Sequence, residues 1–315
     1  MRNALLVLMA LVALAPVSAR ADATEVSVWL DKMARALREE NYQGIFTYMR
    51  GYQLDTVKIV HRYRDNTETE RLVHLNGDER EMIREGDVVT CRHSPDASID
   101  IEHEVPLGPF THRFNENLAN FQALYDFEML GEDRVAARPA VKIGITPRHD
   151  DRWGYRLWLD RETGLLLQSH LVGRGQILEV FQFSEVTIGG PIAASDLASS
   201  LGGDAVTHRL SPTETVASPE QGVAPAWRVA WLPNGFRQVR VRSPNRIMYS
   251  DGIATLSVFV ERGSGKQLGE LVTHMGGTVV LTRRLKGSAQ QITVVGEVPT
   301  DTAKKVAESV EPVLY

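Results

Sequence analysis

Apolar and polar positions change period along the chain, and the change divides it. Between Val28 and about Asn41, Leu30, Met33, Ala34 and Leu37 recur at i, i+3, i+4 and i+7. That spacing puts them on one face of a helix, with Ser27 as its N-cap. From Gly44 the period is two. Gly44–Met49, Leu54–Arg64, Thr69–Leu75, Asp78–Arg84 and Asp87–His93 read as strands separated by Gly51, Asp65-Asn66, Asn76-Gly77 and Glu85-Gly86. Asn76-Gly77 predicts a two-residue type I′ hairpin, which needs positive φ at both positions. Successive hairpins predict an antiparallel meander.

The stretch Ser94–Asp126 breaks the rhythm with Pro95, Pro106 and Pro109. It then places Phe114, Leu118, Phe121 and Tyr125 at helical spacing. This predicts a loop and then a helix laid over one sheet face. Alternation resumes in Phe127–Val135, Ala140–Pro147, Arg152–Asp160, Leu165–Val172 and Ile177–Thr187. From Gly189 to about Ala226, Gly, Ser, Ala, Pro and Thr displace the pattern, which predicts a linker with one helical turn near Ala193–Ser199. Strands return in Phe236–Ser243, Arg246–Ser250, Ala254–Arg262, Thr278–Leu285 and Gln290–Val298. A helix follows over Thr302–Glu311, with Ala303, Val306, Ala307 and Val310 on one face and Thr300 as its cap. A small sheet with one amphipathic helix is a two-layer α+β module. The chain is therefore read as mainly β with α+β character. The expected divisions are a signal peptide at 1–21, a first domain at 22–188, a linker at 189–226 and a second domain at 227–315.

Composition adds the compartment. The 315 residues, 43% hydrophobic, suit about two domains. A formal net charge of −5 and the lack of a long basic run argue against nucleic acid. Met1-Arg2-Asn3, the apolar run Ala4–Ala15 and Ala19-Arg20-Ala21 have the form of an export signal, with cleavage expected before Asp22. The run is shorter than the ~20 apolar residues of a membrane span. No cysteine follows it to carry a lipoprotein anchor, so a soluble periplasmic protein is expected. The sole cysteine, Cys91, lies in a predicted strand and is read as a buried thiol.

Candidate chemistry is sparse. There is no Gly-x-Ser-x-Gly elbow and no Cys-His signature. Gly263-Ser264-Gly265-Lys266 lacks the spacing of a phosphate loop. His149-Asp150-Asp151 and the set His93, His103 and His112 lack a dedicated metal-ligand spacing. Neither an enzyme nor a cofactor is expected. Binding remains. Phe46, Tyr48, Val57, Ile59, Trp158, Phe181 and Phe183 occupy alternating positions that suit the lining of an apolar lipid cavity in a curved sheet. Residue by residue an ordinary packed core is the better reading, and alternation leaves both open. Arg62, Arg71, Arg80 and Arg84 suit an anionic head group or a solvated strand face.

Several stretches together resemble a known family. They are Tyr42-Gln43-Gly44…Phe46…Tyr48, Glu70-Arg71-Leu72, Arg134-Val135-Ala136…Arg138-Pro139-Ala140 and Trp158-Leu159-Asp160…Thr163-Gly164-Leu165. In the second half they are Trp231-Leu232-Pro233…Gly235-Phe236, Ser250-Asp251-Gly252 and Val294-Val295-Gly296-Glu297-Val298-Pro299. In this order they resemble the periplasmic sigma-E regulatory family of RseB and MucB over the mature length. The resemblance implies a LolA/LolB-like unclosed antiparallel β-barrel with helices, followed by a small α+β domain. It implies a negative regulator that binds the periplasmic domain of a RseA/MucA-like membrane anti-sigma factor and shields it from proteolysis. It also implies a lipid or lipopolysaccharide signal that loosens the grip. Self-association stays open, and a periplasmic lipid or lipoprotein carrier is the alternative.

Overall fold

The computed structural model describes residues 18–93, 122–202, 205–209, 225–262, 269–285 and 288–313. The helix and proline-rich loop expected before Tyr125, with His103 and His112, lie mostly outside these residues. So does most of the expected signal peptide.

Helix α1 (Ser18–Glu39) starts well before the expected Val28. The residues ahead of Ser27 are helix-compatible, and Val26 extends the apolar face. Val26, Leu30, Met33 and Ala36 are all buried. Ser27 is therefore an interior residue and not a cap.

One meander holds β1 (Tyr42–Arg50), β2 (Gln53–Arg64), β3 (Thr67–His74), β4 (Arg80–Glu85) and β5 (Val88–His93). A second holds β6 (Tyr125–Val135), β7 (Arg138–Pro147), β8 (Gly154–Asp160), β9 (Leu166–Gly173) and β10 (Gln176–Ile188). Pairing of β1 with β10 joins them, and with β11 (Ala205–Arg209) on β5 they form an 11-stranded sheet in the order β11-β5-β4-β3-β2-β1-β10-β9-β8-β7-β6. The two end strands do not pair with each other, so the sheet is unclosed, as expected. Tyr125, assigned above to a helix, opens β6.

Two further expectations change. The helical turn expected near Ala193–Ser199 is present as α2 (Ala194–Leu197), but strand β11, inside the stretch read as a linker, pairs with β5 and belongs to the first sheet. At Asn76-Gly77 only the glycine has positive φ, at 74°. Residues 75–79 separate the paired strands there, so the turn is a longer loop. Asn76 is engaged through its side chain, accepting from Thr56 N at 2.6 Å and donating to Leu54 O at 2.9 Å. Pairs of positive-φ residues sit instead at the hairpin turns Asp65-Asn66, Ala136-Ala137 and Arg174-Gly175, and after β10 at Gly189-Gly190.

The second unit is a six-stranded sheet of β13 (Arg237–Ser243), β14 (Arg246–Ser250), β15 (Thr255–Arg262), β16 (Leu271–Met275), β17 (Thr278–Arg284) and β18 (Gln290–Gly296). Helix α3 (Thr300–Glu308) buries Ala303, Val306 and Ala307. It ends before the expected Glu311. Val310–Pro312 instead forms β19, which pairs with β12 (Trp227–Val229). Pro312 has no N–H to continue a helix. Each sheet has its own apolar core, with one crossing: Ile253, from the turn after β14, is buried in the core of the first unit.

Candidate functional site

Strand register places the residues expected to line a cavity. Phe46 lies between Val57 of β2 and Phe183 of β10, and Tyr48 pairs with Phe181. Their side chains share the face on which α1 packs, and Ile59 joins them two residues along β2. Ring centroids of Phe46 are 5.0 Å from Phe181 and 6.0 Å from Phe183. All six are buried.

Trp158 belongs to the same connected buried cluster but not to their row. It pairs with Gln168, which pairs with Gln182, which pairs with Thr47, whereas Leu157 and Ser169 share the row of Phe181 and Tyr48. A period of two therefore sends Trp158 to the opposite face. There its Nε1 donates to Asp133 at 2.8 Å, Lys142 Nζ stands 5.0 Å from its ring, and His170 lies 4.6 Å away.

The basic residues suggested for a head group are mostly engaged inside the fold. Arg84 contacts Glu68 at 2.8 Å and Glu70 at 2.9 Å. Arg71 contacts Glu81 at 2.5 Å and reaches Asp196 O and Ser200. Arg80 faces Asp55 at 3.8 Å. Burial pushes the Glu68 carboxyl up, but the neighbouring His61 and Arg84 outweigh it and hold it at about 2.

The densest polar chemistry lies where the two units meet. Arg152, just before β8, and Asp251, just after β14, form an ion pair with both side chains 0% exposed. Tyr125 donates its hydroxyl to the same Asp251 oxygen, Oδ2, at 2.8 Å. Arg152 also donates to Asn234 O at 2.6 Å, and its guanidinium carbon lies 5.7 Å from the Tyr125 ring centroid and 5.2 Å from that of Phe236. Burial alone would lower the Arg152 pKa, but Asp151 and Asp251 outweigh it and raise it. Burial and Asp251 raise that of Tyr125.

A second cluster holds the turn between β16 and β17. Glu179 Oε1 accepts from Gly277 N at 3.0 Å, and its other oxygen accepts from the Tyr48 hydroxyl. Trp153 Nε1 donates to Gly277 O at 2.8 Å. A Cβ at Gly277 would stand 2.1 Å from Leu171 Cδ2, so glycine permits this close approach. Burial raises the pKa of Glu179, and the Glu297 carboxylate adds to the rise. Outside these clusters, Tyr155 donates to Glu297 at 3.3 Å, Thr302 to Asp151 O at 3.0 Å, and Arg174 to Asp301 at 2.8 Å.

The arrangement binds and positions. Its charged groups are taken up by one another in fixed pairs. Arg152, Trp153, Glu179 and Gly277 were not singled out from sequence. Nothing in local spacing ties residue 152 to residue 251. The one available signal was the quoted set of motifs, since Gly235-Phe236, Ser250-Asp251-Gly252 and Glu297 all fall at this joint.

Residues 25–201 match the family model described as the MucB/RseB N-terminal domain, and residues 221–311 match the MucB/RseB C-terminal domain. The sigma factor AlgU regulatory protein MucB of Pseudomonas aeruginosa is 37% identical over 98% of this chain and 97% of its own length. The sigma-E factor regulatory protein RseB of Haemophilus influenzae is 32% identical over 90% of each chain. A crystal structure of MucB in complex with MucA(peri) superposes with a TM-score of 0.73 and 34% identity, over 93% of this chain and 100% of that one.

Proposed function

The chain belongs to the MucB/RseB family, and on that premise we propose how its two units share the work. It is a regulator of an envelope-stress sigma factor and binds the periplasmic region of a membrane anti-sigma factor. The observation that carries this is likeness along nearly the whole length, both units included, to a protein crystallised with MucA(peri). Pull-down of the anti-sigma periplasmic segment by the purified full chain tests it. Absence of binding by a folded chain sinks the reading.

The finer account is ours. The chain acts in the periplasm after removal of residues 1–21, without catalysis, and shields the anti-sigma segment from its first proteolytic cut. We assign the first working domain, expected at 22–188, to residues 22–209, because β11 completes its sheet, and the second to 227–315, with the chain between them as the link. The face of Phe46, Tyr48, Val57, Ile59, Phe181 and Phe183 under α1 receives the acyl chain of a lipid or lipopolysaccharide signal. Support comes from the clustering of these aromatic groups on one face of an unclosed sheet. For such a signal to release the partner, lipid and segment must prefer different states, because a ligand with equal affinity for both shifts nothing.

The same aromatic face favours a second reading, a lipid or lipoprotein carrier. The joint with the second unit speaks against it, since simple carriage needs no such joint. Native mass spectrometry separates the two: a stoichiometric lipidated passenger supports the carrier.

A further inference from the structure

The Ser250-Asp251-Gly252 turn holds one carboxylate that serves both units. Oδ1 of Asp251 accepts from Ile253 N at 2.9 Å and Ala254 N at 2.7 Å, inside its own turn. Oδ2 turns the other way and is shared by the Tyr125 hydroxyl and Arg152 of the first unit. Arg152 in turn holds Asn234 O, so one guanidinium grips two separate loops of the second unit. Beside the pair, Ile253 enters the core of the first unit.

A buried ion pair is a poor source of net stability compared with apolar packing. Breaking one partner is nevertheless costly, because it strands the other charge. Its directional contacts suit it to fixing one arrangement out of many. Interfaces between domains of one chain otherwise permit relative motion by default.

We propose that Asp251 is the positioning residue of the joint. Through Oδ2, Arg152 and Tyr125 set the second unit against the first, in the arrangement that holds the anti-sigma segment. The proposal rests on the functional reading above. Without the clamp the units sample other arrangements, and the apparent affinity falls in proportion to the competent fraction that remains.

Asp251→Asn is the sharpest test. The amide oxygen can still accept from Ile253 and Ala254 and keep the turn, while an NH2 replaces Oδ2 and faces two donors. Arg152→Met is the second variant and is read in the same way if the first does not fold. Each is made in the full chain with Cys91→Ser and spin labels at Arg64→Cys and Glu261→Cys, one exposed site in each unit. Pulsed EPR gives the distance distribution, and titration with the anti-sigma periplasmic segment gives the affinity. We expect a broadened distribution and at least a tenfold rise in Kd, with the far-UV CD of the parent retained. A distribution as narrow as the parent's, or a broadened one with unchanged Kd, overturns the proposal. A parent chain that does not bind the segment overturns the functional reading instead, and the distance measurement still decides whether Asp251 clamps the joint.

Discussion

Glu68 and Glu179 are carboxylates pushed in opposite directions, and the two should be separable by pH. The Glu68 pKa is lowered from 4.5 to about 2. Its contribution to stability is therefore present above its ordinary pKa and lost as pH falls through about 2. Chemical denaturation of the parent and of Glu68→Gln should differ by on the order of 2 kcal/mol at pH 6, and the gap should close on acidification. Glu179 is raised, so its favourable contribution belongs to acid and is lost as pH rises through its raised value. Glu179→Gln keeps an acceptor for Gly277 N–H and removes the buried charge. It should leave stability at pH 7 unchanged or raise it, and it should flatten the fall in stability as pH rises above the ordinary carboxylate range. A large loss at pH 7 would contradict this account of Glu179. The lipid proposal is also a residue-scale matter. A photoactivatable acyl chain should cross-link to peptides containing Phe46 or Phe181 and spare Trp158 on the other face; labelling centred on Trp158 would overturn it. Alternation made the aromatic face legible in sequence. Trp158 was grouped with it because a list of aromatic residues ignores parity, and the register through Gln168, Gln182 and Thr47 does not.

Elements were legible where one face is buried and obscure where neither is. Strands β1, β2 and β10 alternate because one side meets a core. Strand β16 carries exposed or half-exposed positions throughout, and β11 is an edge strand. Without a buried face, β16 gives no period-two signal, and the five residues of β11 are too few to show one. Strand β19 was absorbed into the last helix because Val310 is buried in either geometry. The pairing of β1 with β10 joins residues far apart in sequence and has one demanding point. A Cβ on Gly44 would stand 2.2 Å from Glu185 O and 2.9 Å from Val186 Cα, both backbone atoms. No rotamer change relieves that contact. Gly44→Ala should therefore destabilise the first unit by roughly 1–3 kcal/mol, read as a lower thermal midpoint. An unchanged midpoint would mean that the two meanders are held together by something other than this pairing.

For the whole molecule, the division into two sheet units was visible in the change of composition, but their union was not. The joint depends on single contacts such as Arg152 with Asp251, 99 residues apart, and on Gly277 passing close to Leu171. Such contacts leave no periodic trace. Their physical consequence is that two separately cored units are held against each other, which is what the proposed clamp requires. The direct measurement is the rate of the first proteolytic cut in the anti-sigma periplasmic segment as the full chain is titrated in. The account predicts that cleavage slows to a saturating limit, and that the limit is reached at lower concentration with the parent chain than with Asp251→Asn. Cleavage at an undiminished rate, at concentrations where the chain is folded and in excess, would contradict it.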